Sequence, residues 1–193
     1  MQAARGTSLS RHDSSLDDVQ PVPSRARVRA LLLAVFALLY AVDQASKWLA
    51  VDRLTGKPDK HLVGDVLVLH LTRNAGAAFS TGTGYTELFS CVAVAAVLVV
   101  LWLSRGVRNA VWAIGFGLLL AGITGNLTDR LVRAPGVLRG HVVDFLMLPH
   151  WPIFNVADMC INVAAALILL QAFRGIRLDG SRVARRTDVP SDS

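Results

Sequence analysis

The chain has 193 residues, of which 53% are apolar and 18% charged, and its formal net charge at pH 7 is +6. Its apolar residues form four separate blocks, which excludes a disordered chain and a multidomain soluble enzyme and favours a membrane protein. Only two cysteines occur, Cys91 and Cys160, and both lie in apolar blocks. A disulfide scaffold and a structural zinc site are therefore excluded as well.

The four apolar blocks predict four transmembrane helices. Each block has about 16 to 22 residues, which at about 1.5 Å per residue fits a hydrocarbon core of about 30 Å. The predicted spans are residues 30–51, 86–104, 110–127 and 154–173. They form one membrane domain, residues 30–173, between an N-terminal tail of residues 1–29 and a basic C-terminal tail of residues 174–193. We expect the N-terminal tail, and the C-terminal tail from Asp179 onward, to be disordered.

The distribution of basic residues predicts the orientation of these spans. Twelve arginines lie in the two tails and the short loop between the second and third spans, against eight lysines and arginines on the other side. The positive-inside rule then places both termini in the cytoplasm of a multi-pass cell-membrane protein. The basic surplus is a signal of topology, and we expect no nucleic-acid partner.

The two loops on the outer side are much longer than the inner loop, and long loops often carry function. In the first outer loop, residues 61–73 are rich in Val and Leu and predict a short strand or hairpin at the membrane surface. Gly76, Gly82 and Gly84 follow, so we expect this segment to move as a flap.

Two ionisable residues lie near the outer end of the first span. An ionisable residue within a span costs about 2.5 to 3.5 kcal/mol on insertion scales, so each requires an explanation. Asp43 and Lys47 are four residues apart and share one helix face, with the acid N-terminal to the base. We favour a structural ion pair for these two residues.

The third span ends with a polar face made by Asn126, Asp129 and Arg130, while Gly125 beside them allows close helix approach. An acid next to an arginine is often a charge-assisted pair that fixes a loop. Because Asn126 adds an amide to the same face, we favour a preorganised polar binding site over a pair that only fixes a loop.

The fourth span opens with a polar stripe, Asn155, Asp158 and Asn162. For Asn162 we favour a hydrogen bond to a neighbouring helix. Asp158 has no basic residue nearby in sequence, and Asp144 lies in the apolar segment HVVDFLML. An aspartate in such a setting is either paired or retained for its proton. Prolines between the two aspartates allow the segment with Asp144 to fold back over the fourth span, so that the two carboxylates face each other.

Two close carboxylates share one proton, because both cannot ionise cheaply. The ionised member then takes a proton from water and the protonated member donates to the carbonyl under attack, as in aspartic proteases. No GxSxG or HExxH pattern supports another hydrolase chemistry. Two alternatives stay open: a small transporter or channel with a proton or ion relay, and a non-catalytic assembly factor. A relay requires ionisable residues through the full depth of the bilayer, and residues 88–103 have none.

Five short motifs follow one another along the spans and outer loops. They are VDQASKW (42–48), TRNAGAAFS (72–80), GNLTDR (125–130), VVDF (142–145) and FNVAD (154–158). Together they resemble lipoprotein signal peptidase, the type II signal peptidase of bacteria, over residues 30 to about 173. The segment between Asp129 and Asp144 is longer than this resemblance leads us to expect.

The resemblance implies an α-helical membrane protein with four transmembrane helices and a small extracytoplasmic β-cradle and flap from the first outer loop. It also implies an aspartic endopeptidase that removes the signal peptide of a prolipoprotein, cutting just before a cysteine that already carries a diacylglyceryl group. We expect lipid-modified prolipoproteins and membrane lipids as partners, a monomer, and neither a metal nor another cofactor. The active site is expected near the extracytoplasmic surface.

The resemblance assigns roles to particular residues of this sequence. Asp144 and Asp158 match the catalytic pair. The residues expected to line the substrate site are Asn74, Asn126, Arg130 and Asn155. Those expected to support the site are Asp43, Lys47, Asp129, Gly76 and Gly125.

Overall fold

The structure, a computed structural model, describes residues 24–76 and 85–183. Its elements are α1 (Arg25–Leu54), β1 (Lys60–Val63), β2 (Leu67–Asn74), α2 (Thr86–Ser104), α3 (Ala110–Val132), β3 (Val142–Met147) and α4 (Val156–Phe173). All four helices are long and apolar enough to cross a membrane, which confirms the four predicted spans. The predicted flap glycines Gly82 and Gly84, residues 1–23 of the N-terminal tail and residues 184–193 of the C-terminal tail lie outside the described residues.

Two of the helices, α1 and α3, extend beyond the spans predicted for them. α1 begins at Arg25, so residues 25–29 are helical, contrary to the expectation of a disordered tail. Ser24 caps this helix through its side chain, which accepts a hydrogen bond from Arg27 N at 3.4 Å. α3 continues to Val132. Hydropathy locates the hydrocarbon core, whereas a helix continues into the interfacial region with charged residues in its last turns.

The start of the C-terminal tail folds back against the bundle. Trp112 Nε1 in α3 donates to the carbonyl of Ile176 at 3.1 Å. The amide of Arg108 donates to the carbonyl of Leu178 at 2.9 Å. The expectation of disorder from Asp179 onward is wrong for residues 179–183, because the amide of Arg177 donates to the carbonyl of Ser181 at 2.8 Å and that of Val183 to the carbonyl of Gly175 at 2.9 Å.

α3 is the central helix and packs against all three others. Glycines mark the closest approaches: a Cβ at Gly117 would lie 2.8 Å from the carbonyl oxygen of Leu32 in α1, and one at Gly122 would lie 2.5 Å from that of Ala157 in α4. Small residues of this kind let membrane helices pack backbone to backbone. The elements that bear the site are thus held close to one central helix.

An antiparallel sheet in the order β1-β2-β3 lies at the end of the bundle where α1 and α3 finish. β1 and β2 confirm the hairpin predicted for residues 61–73. The third strand comes from the second outer loop, which the sequence did not indicate; it places Asp144 opposite Thr72. Successive residues of a strand point to opposite faces. Accordingly Val143 and Phe145 pack against α1, while Asp144 faces away from it.

The long segment between α3 and β3 forms a compact turn. The amide of Gly140 donates to the carbonyl of Arg130 at 3.0 Å, and that of His141 to the carbonyl of Ala134 at 3.1 Å. Ser90 of α2 donates its hydroxyl to the carbonyl of Leu138 at 2.7 Å. These bonds fix the residues that exceed the expected length, and they lead the chain directly into β3.

Candidate active site

Asp144 lies in the middle of β3 and is 2% exposed. Both of its carboxylate oxygens accept hydrogen bonds from amide side chains: Oδ2 from Asn74 Nδ2 at 3.0 Å and Oδ1 from Asn155 Nδ2 at 2.6 Å. Burial raises the pKa of Asp144 to about 6, opposed mainly by the hydrogen bond from Asn74 and assisted by the negative charge of Asp158. Asp144 therefore titrates close to neutral pH.

Asp158 lies in the first turn of α4, where Asn155 is the N-cap. The two residues form a reciprocal capping box: Asn155 Oδ1 accepts from Asp158 N at 3.1 Å, and Asp158 Oδ2 accepts from Asn155 N at 3.1 Å. The other oxygen, Oδ1, accepts from Asn126 Nδ2 of α3 at 2.8 Å. Helix capping and an interhelical hydrogen bond thus fix the second carboxylate.

Two asparagines connect the two carboxylates, which we call the carboxylate pair (Asp144 and Asp158). Asn155 Nδ2, which donates to Asp144, also lies 3.2 Å from Asn126 Oδ1, while Asn126 donates to Asp158. Among the residues described here, neither carboxylate forms a salt bridge. Neutral amides, rather than cations, therefore hold both groups.

The carboxylate pair opens into one cavity of about 390 Å³. Its walls include the polar residues Asn74, Asn126, Arg130 and Asn162 and the apolar residues Val142, Trp151, Pro152 and Phe154. A second cavity of about 690 Å³ beside the sheet shares Asn74, Asp144 and Trp151 with the first. Asp144 therefore borders both cavities, so an extended chain running from one to the other would pass it.

Arg130 brings a positive charge to the same cavity. Its Nη2 donates to the carbonyl of Gly76 at 3.2 Å and its Nη1 to that of Asn126 at 3.4 Å. Its Nε is buried and has no hydrogen-bond partner among the described residues. Arg130 thus has a spare donor beside the carboxylate pair.

Behind the cavity lies a second group of charges, which we call the ion cluster (Asp43, Lys47 and Asp129). Lys47 Nζ is 3.0 Å from Asp43 Oδ2 and 3.0 Å from Asp129 Oδ2. All three side chains are at most 1% exposed. The ion pair predicted between Asp43 and Lys47 is confirmed. Asp129 pairs with Lys47 and with Arg133 at 2.5 Å, so a pair with the adjacent Arg130 is not formed.

The ion cluster is bonded to the elements that carry the carboxylate pair. Asp43 Oδ1 accepts from the amide of Ala157, in the first turn of α4, at 2.9 Å. Asp129 Oδ2 accepts from the amide of Val143, the neighbour of Asp144, at 3.1 Å. Lys47 also donates to Asn126 Oδ1 at 2.9 Å. A side chain at Gly125 would collide with the Asp43 carboxylate, so this position has room only for glycine.

Comparisons with known proteins identify the family of this chain. The family model described as signal peptidase (SPase) II matches residues 35–174. The chain belongs to the signal peptidase II family. The lipoprotein signal peptidase of Leifsonia xyli subsp. xyli is 47% identical over 168 residues, which is 86% of this chain and 78% of that protein. That of Mycolicibacterium smegmatis is 44% identical over 174 residues, 90% and 73% of the two chains.

A solved structure has the same fold. A bacterial membrane enzyme determined by the in meso method at 2.3 Å resolution superposes with a TM-score of 0.67 at 21% identity. The match covers 81% of this chain and 95% of that one. The likeness establishes the fold of this family member as four membrane helices with a small sheet.

The structure brings together most residues that the sequence singled out, with two differences. Asn155, expected to line the substrate site, is fully buried behind the carboxylate pair and uses its side chain to hold it. Asn162, predicted to bond another helix, donates instead to the carbonyl of Asp158 in its own helix, so that prediction is wrong. Gly76 is buried, and its amide donates to Asn74 Oδ1 at 2.9 Å.

Three further residues contribute to the site without having been predicted. Gln44 Nε2 donates to Asp43 Oδ2 at 3.0 Å and to the carbonyl of Gly125 at 3.1 Å. Arg133 pairs with Asp129, and Trp151 lines both cavities. The i, i+4 spacing from Asp129 to Arg133 is a signal that could have identified that pair, whereas Trp151 has no local sequence signal of this kind.

Proposed function

We propose that this signal peptidase II family member is an aspartic endopeptidase. It removes signal peptides from prolipoproteins, and we infer that it cuts before a cysteine that carries a diacylglyceryl group. The observation that carries the proposal is the carboxylate pair: two aspartates held by amides, without a salt bridge to a described residue, on one cavity that also contains Arg130.

In the proposed mechanism the carboxylate pair holds one proton. The ionised aspartate removes a proton from a water molecule, and the resulting nucleophile attacks the scissile carbonyl while the protonated aspartate donates to its oxygen. The raised pKa of Asp144 supports this division, because a carboxyl that titrates near 6 can hold a proton close to neutral pH. Asn126 and Asn155 keep the two groups directed toward the cavity.

The remaining polar groups of the cavity are suited to bind a peptide backbone. Asn74 and Arg130 line the cavity beside the carboxylate pair, where the positive guanidinium of Arg130 is suited to a substrate carbonyl. We assign Asn74, Asn126 and Arg130, which line the cavity, to the substrate site. Asn155 is fully buried and contacts both aspartates, so we assign it to positioning of the pair.

The same proposal includes the placement of the protein in the membrane. Both termini lie in the cytoplasm, as the arginine-rich tails and inner loop favour, and the sheet-bearing end faces the extracytoplasmic side. The carboxylate pair lies at that end, where water is available and the junction between signal peptide and mature lipoprotein arrives. We expect the enzyme to act as a monomer, because both aspartates and their partners come from one chain.

Cleavage of a synthetic prolipoprotein peptide by the purified enzyme in detergent tests the proposal. We expect cutting before the diacylglyceryl-modified cysteine, at least about tenfold slower cutting of the same peptide without lipid, and full activity in EDTA. Failure of well-folded enzyme to cut the lipidated peptide would overturn the proposal. Ion flux through proteoliposomes would then test the relay alternative.

A further inference from the structure

A cavity of about 740 Å³ lies on the face of the sheet opposite to the carboxylate pair. Phe145 lines it, whereas the preceding residue, Asp144, points to the other face. Its apolar walls are Leu49, Ala50, Leu54, Leu69 and Phe145. Its charged rim consists of Arg53, Lys57, Asp59 and Lys60. We call this the α1 cavity; α1 and the sheet separate it from the proposed substrate site.

Exposed aromatic residues locate the membrane interface relative to the α1 cavity. Trp48, Tyr85 and Trp151, all at the sheet-bearing end, are 67%, 64% and 63% exposed. Amphipathic aromatic rings collect at the level of the lipid headgroups. Arg53 follows Trp48 by five residues, or about 7.5 Å along the helix, which is the full thickness of a headgroup layer of about 5 to 7.5 Å. Leu49 and Ala50 directly follow Trp48, so the α1 cavity opens at the membrane–water interface, with Arg53, Lys57 and Lys60 on its outer side.

The rim of the α1 cavity carries a surplus of positive charge. Lys57 and Lys60 form no salt bridge with any residue in the described ranges. Arg53 pairs with Asp52 at 3.1 Å, and both side chains are exposed. Asp59 lies against His70, 2.8 Å from its Nδ1. Two lysines without a partner above an apolar floor complement a negatively charged headgroup that is attached to an acyl chain.

We propose that the α1 cavity binds an anionic phospholipid of the surrounding leaflet, such as phosphatidylglycerol. One acyl chain lies along Leu49 and Ala50, and the phosphate is bound by Lys57 and Lys60, with Arg53 beside them. This inference goes beyond the proteolytic function and does not depend on it, because none of these residues contacts the carboxylate pair. The bound lipid would join the end of α1 to the hairpin of β1 and β2, so it would stabilise the sheet on the membrane.

Native mass spectrometry of the purified full-length chain tests this site, with dioleoylphosphatidylglycerol and dioleoylphosphatidylcholine titrated separately. We expect the anionic lipid to bind about tenfold more tightly. The triple variant Arg53→Gln, Lys57→Gln, Lys60→Gln should lose this preference. The matched control Arg105→Gln, Arg174→Gln, Arg177→Gln removes equal charge at the opposite end of the bundle and should retain it. Equal binding of both lipids, or equal loss in the control, would overturn the proposal.

A second variant tests the apolar part of the α1 cavity without changing any charge. Leu49 is half exposed and lines the cavity, so Leu49→Trp fills space that the acyl chain would occupy. We expect it to weaken phosphatidylglycerol binding about fivefold or more. Undiminished binding would show that phosphate alone is attracted to the surface, and would refute an acyl-chain site. All substituted side chains are exposed, and thermal unfolding in neutral detergent checks that each variant folds.

Discussion

The carboxylate pair and the ion cluster share one end of the bundle, and each contains two buried or half-buried aspartates, but their partners differ. In the ion cluster, Lys47 lies 3.0 Å from both Asp43 and Asp129. In the carboxylate pair, the nearest donors are neutral amides and a backbone amide. An adjacent cation favours the charged form of an aspartate more strongly than a neutral hydrogen-bond donor does. On the proposed mechanism, the partner of each aspartate, rather than the acid itself, determines whether that aspartate supports the fold or takes part in catalysis.

The ion cluster and the carboxylate pair also differ in their access to solvent. The three side chains of the ion cluster are closed off from solvent, whereas both members of the carboxylate pair line a cavity that can admit water and substrate. A buried ion pair contributes little net stability, but removal of one partner leaves an uncompensated charge and is costly. We therefore expect substitutions in the ion cluster to affect folding, and substitutions in the carboxylate pair to affect turnover.

The largest expected effect is on turnover in the carboxylate pair. Asp144→Asn and Asp158→Asn should each lower kcat by more than about 10³-fold, because each removes an acid or base from the reacting centre. Thermal unfolding in detergent should show a folded protein in both. Asp179→Asn, a matched change at a fully exposed acid, should leave kcat unchanged. Wild-type turnover in either variant would refute the aspartic mechanism.

The next effect is on stability in the ion cluster. Lys47→Met leaves two buried carboxylates without their cation and should destabilise the protein by about 3 to 5 kcal/mol. We expect a lower Tm and a lower yield of folded protein. Arg73→Met, at an exposed position of β2, is the matched control and should change stability by less than about 0.5 kcal/mol. An unchanged Tm in Lys47→Met would remove the distinction between the two groups.

Asn155 both caps α4 and donates a hydrogen bond to Asp144, and two variants can separate these two roles. Serine is as good an N-cap as asparagine, but it is too short to reach Asp144. Asn155→Ser should therefore keep the Tm within a few degrees while lowering kcat/KM about 10- to 100-fold, since a hydrogen bond to a charged group is lost. Asn155→Ala should lose the cap as well. Equal kcat/KM for Asn155→Ser and wild type would show that the contact with Asp144 is not needed.

The smallest effect is a displacement of the pH profile. An unfolded aspartate titrates near 3.9, whereas burial holds the pKa of Asp144 at about 6. The form with one proton is lost as pH rises through that value, so kcat/KM should fall up to tenfold per pH unit above about pH 6. Asn74→Leu removes a hydrogen bond that lowers this pKa and should move the fall to higher pH, while Thr72→Val should not. A profile that is flat from pH 5 to 8 would contradict this assignment.

The same titration affects stability with a defined sign. Between about pH 4 and 6 the folded protein retains a proton on Asp144 that the unfolded chain has lost, so Asp144 lowers stability as pH rises through this window. This loss of stability is complete above about pH 6 and absent below about pH 4. This gives Asp144→Asn a stability advantage that exists only at the higher pH.

The parts of the fold that depend on local sequence were predictable. Block length indicated the four spans, and the i, i+4 spacing of Asp43 and Lys47 indicated their ion pair. The burial of Asn155 could also have been predicted, since an asparagine followed three residues later by an acid is a capping pattern. The motif resemblance indicated a substrate-lining residue instead, because a motif carries no information on which of its polar side chains are consumed by capping.

The parts that depend on distant partners were not predictable from pattern alone. The pairing of Thr72 with Asp144 joins two loops that lie on either side of α2 and α3 in sequence. No local hydrophobic periodicity predicts this pairing. Residues 142–147 read as an apolar run, which does not distinguish a strand from an irregular loop. The third strand, and with it the hydrogen bond from Asn74 to Asp144, depends on the assembled fold.

The hydrogen bond from the amide of Ala157 to Asp43 has a consequence for the biogenesis of the protein. It joins α1 to α4, and the donor is the immediate neighbour of Asp158. Asp144 and Asp158 are therefore both fixed only after α4 has emerged from the ribosome, entered the bilayer and docked on α1 and α3. A nascent chain that still lacks its final helix has no assembled pair. On the proposed mechanism, the peptidase therefore stays inactive until α4 has docked on α1 and α3.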